Sequence, residues 1–347
     1  MGGRPARQIR LWAIMIGAGA FAGLAYMPFI GDTTSIEQAL RFAAQGALIS
    51  LLLFGFEIFV AQGAASESLR RAPFAIVFCT KALISTCLIM VAYWIGGRVL
   101  FPGRFADSAP LLHLARDTGY ALGVALVLQF VLMVRTIVGG RVLTNLLLGR
   151  YHQPLSEERI FMFLDVAGST ALAERLGGIG AHSMVSRFFF DVAQETARYG
   201  GETHEYVGDE VIVTWPLTGK RENSRCLECY FAICDRMEAR ASSYQLEFGA
   251  VPEFRVGLHG GPIVAGECGD DKRAIVYFGD TINTTARLQE ACKRYRCSLL
   301  VSGDLINRID LPARYSPVSL GKARLRGRAQ EVELFTVEPK PAGTHRP

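Results

Sequence analysis

The chain has 347 residues, half of them hydrophobic, and its mean hydropathy is positive at +0.24, which is high for a soluble protein. The hydrophobic excess lies almost entirely before Arg141, so the length predicts an apolar unit followed by an ordinary mixed domain. The net charge is only +5 and comes mostly from arginines that flank the apolar segments. This excludes nucleic acid as the expected partner and favours an anionic membrane surface.

Four apolar stretches are long enough to cross a bilayer, which takes about 20 residues as a helix. They cover residues 11–30, 42–61, 74–95 and 120–138. The alternative is a buried all-α soluble domain, but its helices would have a polar face, and these stretches carry only isolated polar residues such as Glu57, Lys81 and Gln129. The sequence therefore predicts a transmembrane domain of four helices over residues 1–140.

Arginine placement predicts that both ends of this domain are cytoplasmic. Arginines precede the first span, separate the second from the third, and end or follow the fourth: Arg4, Arg7, Arg10, Arg70, Arg71, Arg135, Arg141 and Arg150. The loop over residues 96–117 fits less well, since its three arginines would lie outside. The first span also resembles a signal peptide, and its removal would leave three spans with the C-terminal half still inside. The predicted location is the cytoplasmic membrane, with multiple passes.

The second and third predicted spans each contain one charged residue, and the whole chain contains eight cysteines. Glu57 and Lys81 lie on neighbouring spans, so they either pair or leave Lys81 to reach the membrane surface. The cysteines form no ligand set, although Cys226 and Cys229 have metal-like spacing within a helical pattern. In a reducing cytosol all eight are expected to be free thiols.

After the membrane domain, residues 141–156 read as a helical connector that Pro154 stops, and residues 339–347 read as a flexible tail. Between them, over residues 157–338, strand and helix patterns alternate around one hairpin. Predicted strands cover 159–165, 203–207, 211–215, 253–259, 274–278, 298–301 and 331–338, and predicted helices cover 181–199, 222–244 and 280–294. This order predicts an α+β sheet with helices on one face.

Acidic residues at two turns point to a metal and phosphate site. Asp165 ends a strand and is followed by Gly168, Ser169 and Thr170 at a helix start, where free backbone N–H groups can meet phosphate. A hairpin beside that strand would bring Asp209 next to Asp165. Because two close carboxylates repel each other unless a cation neutralises them, the pair predicts a two-metal site. The third acid in the turn, Glu210, is expected to face water.

Downstream, a helix and a loop carry groups suited to phosphoryl chemistry. Asn283 and Arg287 are four residues apart and share a helix face, where an amide can orient a ribose and a guanidinium can stabilise phosphoryl charge. The alternative is a solvated helix face. Arg326 follows as another cation that can reach phosphate, or simply as part of a basic loop.

These segments occur in a recognisable order: FMFLDVAGST, EYVGDEVIVTW, FRVGLHGGPIVAGECG, YFGDTINTTARL and LRGRAQEVELFTV. Together they resemble the catalytic domain of class III nucleotidyl cyclases, and the whole layout resembles a bacterial membrane-bound group of these proteins. The resemblance implies a ferredoxin-like βαββαβ core, two divalent metal ions (Mg²⁺ or Mn²⁺), and a head-to-tail homodimer with active sites shared between chains. ATP or GTP would be converted to a 3′,5′-cyclic nucleotide and pyrophosphate.

Residue by residue, the resemblance assigns metal binding to Asp165, Val166 and Asp209, and transition-state roles to Asn283 and Arg287 of the partner chain. It assigns phosphate binding to four further residues: Gly168, Ser169, Thr170 and Arg326.

The base-reading positions fall on Glu205, where adenylyl cyclases carry a lysine, and on Val276. A glutamate suits the guanine donors, but valine offers nothing to guanine O6, so ATP and GTP both stay open, with ATP slightly preferred. Two alternative functions are a non-catalytic cyclase-like receptor and a diguanylate-forming domain. The hairpin matches the motif of the latter only in part.

Overall fold

The computed structural model describes residues 4–27, 35–57, 74–100, 110–138, 151–270, 274–326 and 330–340. The chain divides into two compact units, residues 1–138 and 139–347. Most of the predicted connector and tail, residues 141–150 and 341–347, lies outside the described residues.

The described part of the first unit contains four helices: α1 (Arg4–Tyr26), α2 (Ile36–Gly55), α3 (Phe74–Val99) and α4 (Pro110–Val138). Within the described residues, three helical stretches are long and apolar enough to cross a membrane: Ile9–Tyr26, Ile36–Gly55 and Cys79–Val99. The fourth predicted span lies within α4, whose last side chains are outside the described part, so a fourth crossing stays a prediction.

Two helices begin well before the predicted spans with which they overlap. Helix α2 begins six residues before the predicted start at Phe42, and α4 begins ten residues before Tyr120. Arg116 and Asp117, predicted to lie in a loop, are therefore helical. Asp117 is buried and accepts a hydrogen bond from the Tyr26 hydroxyl, which explains how α4 can extend into a charged segment.

Close backbone contact and one ion pair hold this unit together. A Cβ added at Gly46 of α2 would lie 2.1 Å from the Gly19 carbonyl oxygen of α1, so the two helices touch backbone to backbone. The Lys81 ammonium donates to Glu57 Oε1 at 2.5 Å, which shows that these two charges pair.

The second unit contains eight strands and five helices in the described part of the chain. The strands are β1 (Leu155–Val166), β2 (Glu202–Val207), β3 (Glu210–Pro216), β4 (Phe254–Cys268), β5 (Ala274–Phe278), β6 (Leu299–Ser302), β7 (Tyr315–Arg324) and β8 (Glu331–Pro339). The helices are α5 (Ser169–Arg198), α6 (Lys220–Asn223), α7 (Arg225–Phe248), α8 (Asp280–Tyr295) and α9 (Gly303–Ile306).

One mixed sheet organises this unit, with strand order β2-β3-β1-β4-β6-β8-β7 and β5 paired to β4. Strands β1 to β4 are antiparallel, and with α5 and α7 they form the βαββαβ arrangement that the resemblance implies. The long side chains of the central strand β1 are buried on both faces. Ile160, Met162 and Leu164 pack under α5 and α7, while Phe161 and Phe163 face the other way.

The prediction that the helices lie on one face is wrong for α8. Ile282 and Ala286 of this helix pack against the Phe161 and Phe163 face, opposite α5 and α7. The close approach depends on Gly257 of β4, because a Cβ there would lie 2.5 Å from the Gln289 nitrogen and from the Thr285 carbonyl oxygen.

Other element boundaries also differ from the predictions. Strand β1 begins at Leu155, inside the predicted connector, and β4 continues nine residues beyond the predicted end at His259. The helix predicted to begin at Ala181 is part of α5, which begins at Ser169 and is kinked at Gly177. Strand β7 was not predicted; its exposed sequence contains Pro317 and Gly321, which disguise a strand pattern.

The contact at Gly257 generates a stability prediction. We expect Gly257→Ala to lower the free energy of unfolding by about 1–3 kcal/mol, because the new methyl group overlaps backbone atoms of α8. The matched control is Gly266→Ala on the same strand, where the nearest atom, Pro154 Cα, is 3.6 Å away. Thermal unfolding of both variants would test this, and an equal effect of the two substitutions would contradict it.

Candidate active site

Three carboxylates, which we call the acid cluster, meet where β1 ends beside the β2–β3 hairpin: Asp165, Asp209 and Glu210. In the register of β1 and β3, Asp165 lies directly opposite Glu210. The Val166 N–H donates to the Asp209 carbonyl oxygen at 3.2 Å, which holds the hairpin turn against the end of β1. The backbone pairing therefore brings all three acids to one edge of the sheet.

Burial and repulsion raise the proton affinity of this cluster. Burial, with the Asp209 carboxylate as the next cause, raises the pKa of Asp165 to about 6. Burial, followed by the charges of Asp165 and Asp209, raises the pKa of Glu210 to about 7. Carboxylates in this state bind either a proton or a cation, so the cluster is suited to holding a positive ion.

The prediction that Glu210 faces water is wrong. Its side chain is half-buried, and it shares the face of Asp165 because directly paired residues of antiparallel strands point the same way. The turn is Gly208-Asp209, and Glu210 already belongs to β3. Glu210 and Ile212 are two residues apart on β3, so their side chains share a face, and that face is buried at Ile212. This alternation could have predicted the position of Glu210.

Helix α8 lies beside the acid cluster through two residues that the sequence did not suggest. Gln289 donates from Nε2 to Asp165 Oδ2 at 3.2 Å, and the charge of Glu290 contributes to the raised pKa of Glu210. Glu290 also accepts two hydrogen bonds from Arg287 Nη1, at 2.6 and 2.8 Å. The guanidinium is thus held within its own helix.

The two predicted transition-state residues do not join the acid cluster of their own chain. Asn283 is exposed near the start of α8, and the only ion pair of Arg287 in the described part of the chain is with Glu290. The structure therefore brings Asp165 and Asp209 together, whereas among the described residues Asn283 and Arg287 make no hydrogen bond or ion pair with either of them.

The predicted phosphate-binding turn lies directly after β1. Gly168 adopts φ 72° and precedes the first turn of α5, and no side chain caps that helix end. Ser169 is half-buried and Thr170 is exposed, so backbone N–H groups at this turn are accessible. Arg326 is exposed after β7, adjacent to residues 327–329, which lie outside the described residues.

The predicted base-reading residues lie on the two strands β2 and β5. Glu205 pairs with Ile212 in the register that starts at the turn, which places it on the acid-cluster face with its side chain exposed, and a β-bulge separates it from Thr203. The bulged residue, His204, contacts Tyr277 of β5 with ring centroids 4.6 Å apart, and burial lowers the pKa of His204. Val276 is half-buried next to Tyr277.

No group of three or more His, Cys, Asp or Glu side chains within the described ranges has the arrangement of a complete metal site. The acid cluster alone is therefore not such a group.

Mutual repulsion in the acid cluster generates a prediction about pH. Because the pKa of Asp165 is raised in the folded state, the fold loses stability as pH rises from about 4 to about 6. We expect Asp209→Asn, without divalent cations at pH 7.5, to stabilise the domain by about 1 kcal/mol after solvent screening, or about 2–4 °C. Fluorescence of buried Trp215 reports the unfolding.

The gain should shrink as the pH is lowered towards 5, where Asp165 takes up a proton. The control is Asp235→Asn, at an exposed carboxylate on α7 that should leave the unfolding temperature unchanged. Destabilisation by Asp209→Asn at pH 7.5, or a gain that is the same at both pH values, would show that repulsion does not govern the cluster.

Comparison with known proteins connects this geometry to a family. Adenylate cyclase 2 of Rhizobium meliloti (strain 1021) is 42% identical over 218 residues, which cover 63% of this chain and 60% of that protein. Adenylate cyclase 1 of the same strain is 28% identical over 186 residues, covering 52% of this chain and 27% of that protein. The chain thus spans less than two thirds of either relative.

A solved bacterial light-regulated adenylyl cyclase matches with a TM-score of 0.52 and 20% identity, covering 62% of this chain and 63% of that one, which supports the fold. Residues 152–339, more than half of the chain, match the family model for the adenylate and guanylate cyclase catalytic domain. The chain therefore belongs to the family of adenylate and guanylate cyclase catalytic domains.

Proposed function

We propose that the chain is a membrane-anchored adenylate cyclase that converts ATP to 3′,5′-cyclic AMP and pyrophosphate. The observation that carries this proposal is the acid cluster at the end of β1, in a domain that also presents Asn283 and Arg287 on α8. The 42% identity to a protein named adenylate cyclase supports ATP as the substrate.

The residues of the acid cluster fit divalent cations. Asp165 and Asp209 lie close enough to raise the pKa of Asp165, so a cation there would relieve both repulsion and incomplete solvation. These two carboxylates, with the backbone carbonyl of Val166, would hold two ions, either Mg²⁺ or Mn²⁺. When bound, such ions lower the pKa of a coordinated hydroxyl and neutralise phosphate charge.

The substrate would lie between the acid cluster and groups that bind its other parts. Backbone N–H groups at Gly168, Ser169 and Thr170, together with the Arg326 side chain, would bind the triphosphate. Asn283 would orient the ribose, and Arg287 would stabilise charge that develops on the α-phosphate. The ribose 3′-oxygen forms a bond to the α-phosphorus and loses its proton, and the bond to pyrophosphate breaks.

The proposed substrate site requires a homodimer, because its groups come from two chains. In the described part of one protomer, Asn283 and Arg287 make no hydrogen bond or ion pair with the acid cluster. A head-to-tail pair of chains would bring the α8 face of each protomer to the acid cluster of the other, which gives two equivalent sites.

We place the catalytic domain in the cytoplasm, anchored to the cytoplasmic membrane by several passes. Three apolar helices support the anchoring, and the arginine distribution supports the orientation. The proposed anchor contains α1, α2 and α3, with α4 as a fourth span.

GTP is the second candidate substrate, because Glu205 carries a carboxylate on the acid-cluster face. A carboxylate accepts hydrogen bonds from guanine N1 and N2, whereas it meets the adenine N1 acceptor poorly. The Val276 side chain cannot hydrogen-bond to guanine, so only one favourable contact, from Glu205, supports GTP.

A mixing experiment tests the shared site. We expect Asp209→Ala and Arg287→Ala each to abolish cyclic nucleotide formation, because one removes charge from the metal site and the other removes a transition-state cation. An equal mixture should recover about a quarter of wild-type activity, since half of the dimers are mixed and one of their two sites is whole.

The matched control combines Asp209→Ala with Asp165→Ala, which damages both sites of a mixed dimer and should recover nothing. Failure of the first mixture to recover, when mixed dimers are demonstrated, would contradict a site between chains. Wild-type protein that binds nucleotide but forms no product with Mg²⁺ or Mn²⁺ would favour the non-catalytic receptor.

A charge reversal tests whether Glu205 reads the base. We expect Glu205→Lys to shift the ATP/GTP ratio of kcat/KM towards ATP by roughly 5- to 150-fold, the effect of about 1–3 kcal/mol from one polar contact. Glu238→Lys, at an exposed position of α7, is the control and should leave the ratio unchanged. An unaltered ratio in Glu205→Lys would mean that this glutamate does not contact the base.

A further inference from the structure

Helix α8 ends in a turn that brings two cysteines together. Arg296, directly after the helix, has φ 53° and is the one residue other than glycine in the described part of the chain with a left-handed backbone. The N–H of Cys297 donates to the Cys292 carbonyl oxygen at 3.2 Å. This bond and the left-handed residue define a Schellman motif, in which Cys292 and Cys297 hold the two positions whose side chains usually touch.

The spacing of these two cysteines suits a covalent bond. The backbone bond at 3.2 Å keeps the two residues close to the range that a disulfide spans, which is roughly 4.4–6.8 Å between α-carbons. Both side chains pack in the same apolar cluster, so the two thiols lie on the same side of the turn.

The two thiols differ in exposure and in acidity. Cys292 is buried in an apolar cluster with Leu288 and Leu300, while Cys297 is half-buried at the margin of that cluster. The influence of Cys292 lowers the pKa of Cys297, whereas the influence of Cys297 together with burial raises the pKa of Cys292. Cys297 is thus the accessible nucleophile, and Cys292 is positioned to resolve an adduct formed on it.

We propose that Cys292 and Cys297 are a redox modification site, which forms a reversible disulfide with a low-molecular-weight disulfide such as glutathione disulfide as oxidant. The Cys297 thiolate attacks one sulfur of glutathione disulfide, forming a mixed disulfide and releasing a glutathione thiolate. Cys292 then loses its proton and attacks the Cys297 sulfur, which releases the second glutathione. Two protein thiols are oxidised, and one glutathione disulfide is reduced to two glutathione molecules.

The disulfide would act on the helix that carries the candidate catalytic residues. In the reduced protein, the single thiol hydrogen of Cys292 can reach the carbonyl oxygens of Val256 at 3.4 Å or of Leu288 at 3.5 Å. Oxidation removes this hydrogen and draws the sulfur towards Cys297, to about 2.05 Å. Gln289, which contacts Asp165, lies one turn earlier on α8.

The ring closed by the disulfide spans few residues, so its effect on the unfolded chain is small compared with its effect on the position of α8. A displacement of about 1 Å at a catalytic group lowers the rate by up to 100-fold. We expect kcat to fall about fivefold to tenfold on oxidation, a change well within that limit. This effect on rate rests on the cyclase function proposed above, whereas formation of the disulfide does not.

Peptide mapping of the full-length protein tests the chemistry without any activity. The protein in detergent is treated with glutathione disulfide, its remaining thiols are blocked, and it is digested with trypsin. Because Lys293, Arg294 and Arg296 lie between the two cysteines, only a disulfide would keep the two peptides together. We expect this linked product in wild-type protein and in Cys234→Ser, and its loss in Cys297→Ser and after reduction.

A stable glutathione adduct on Cys297, with Cys292 still free, would overturn the proposal. The cyclase rate provides a second test. Oxidation should lower kcat in wild type and in Cys234→Ser, and reduction should restore it. The kcat of Cys297→Ser and Cys297→Ala should not change on oxidation. A disulfide that forms without changing kcat would contradict the claim that it affects catalysis through the position of α8. Reduced protein with no cyclase activity at all would count against the proposed function and leave the mapped disulfide standing.

Discussion

Repulsion between carboxylates at the end of β1 is the constraint on which the site depends. The antiparallel register puts Asp165 opposite Glu210 and ties Val166 to Asp209, so the backbone imposes the crowding and the side chains cannot move apart freely. The surroundings offset this negative charge only in part, through the amide of Gln289 and the positive charge of Arg255, which lies opposite Asp165 on β4. A cation at this point would relieve the repulsion, which is why the cluster supports the proposed metal site.

Much of the domain could be predicted from the sequence, because its signals are local. Periodicity identified the hairpin, the strand that ends at Asp165 and the helix that carries Asn283 and Arg287, with boundaries within a few residues. The neighbourhood of Asp165 and Asp209 followed from pairing a tight hairpin with an adjacent strand. The pairing of Glu57 with Lys81 also required only neighbouring apolar helices, although the sequence left open whether the lysine would reach the membrane surface.

The features that escaped prediction depend on long-range packing. Nothing local shows that α8 lies on the opposite face from α5 and α7, because that choice depends on Gly257, about thirty residues earlier, which has no Cβ to keep the helix away. The contact of Gln289 with Asp165 follows from the same packing. The wrong prediction that Glu210 faces water has a simpler reason. Its position next to Gly208 and Asp209 suggests a turn, but Glu210 is the first residue of β3.

The bulge at His204 has a consequence for comparing this chain with its relatives. Position counting treats Glu205 as the base-reading residue because it lies four places before Asp209. The pairing that starts at the turn already places Glu205 opposite Ile212, so this count holds whether or not a strand contains the bulge. Beyond the bulge, Thr203 opposes Val213, whereas regular pairing from the turn would place it opposite Thr214 on the other face of the sheet. Residues from Glu205 to the turn can therefore be compared between relatives by counting back from Asp209. Residues before His204 can be compared in this way only between strands that both contain the extra residue.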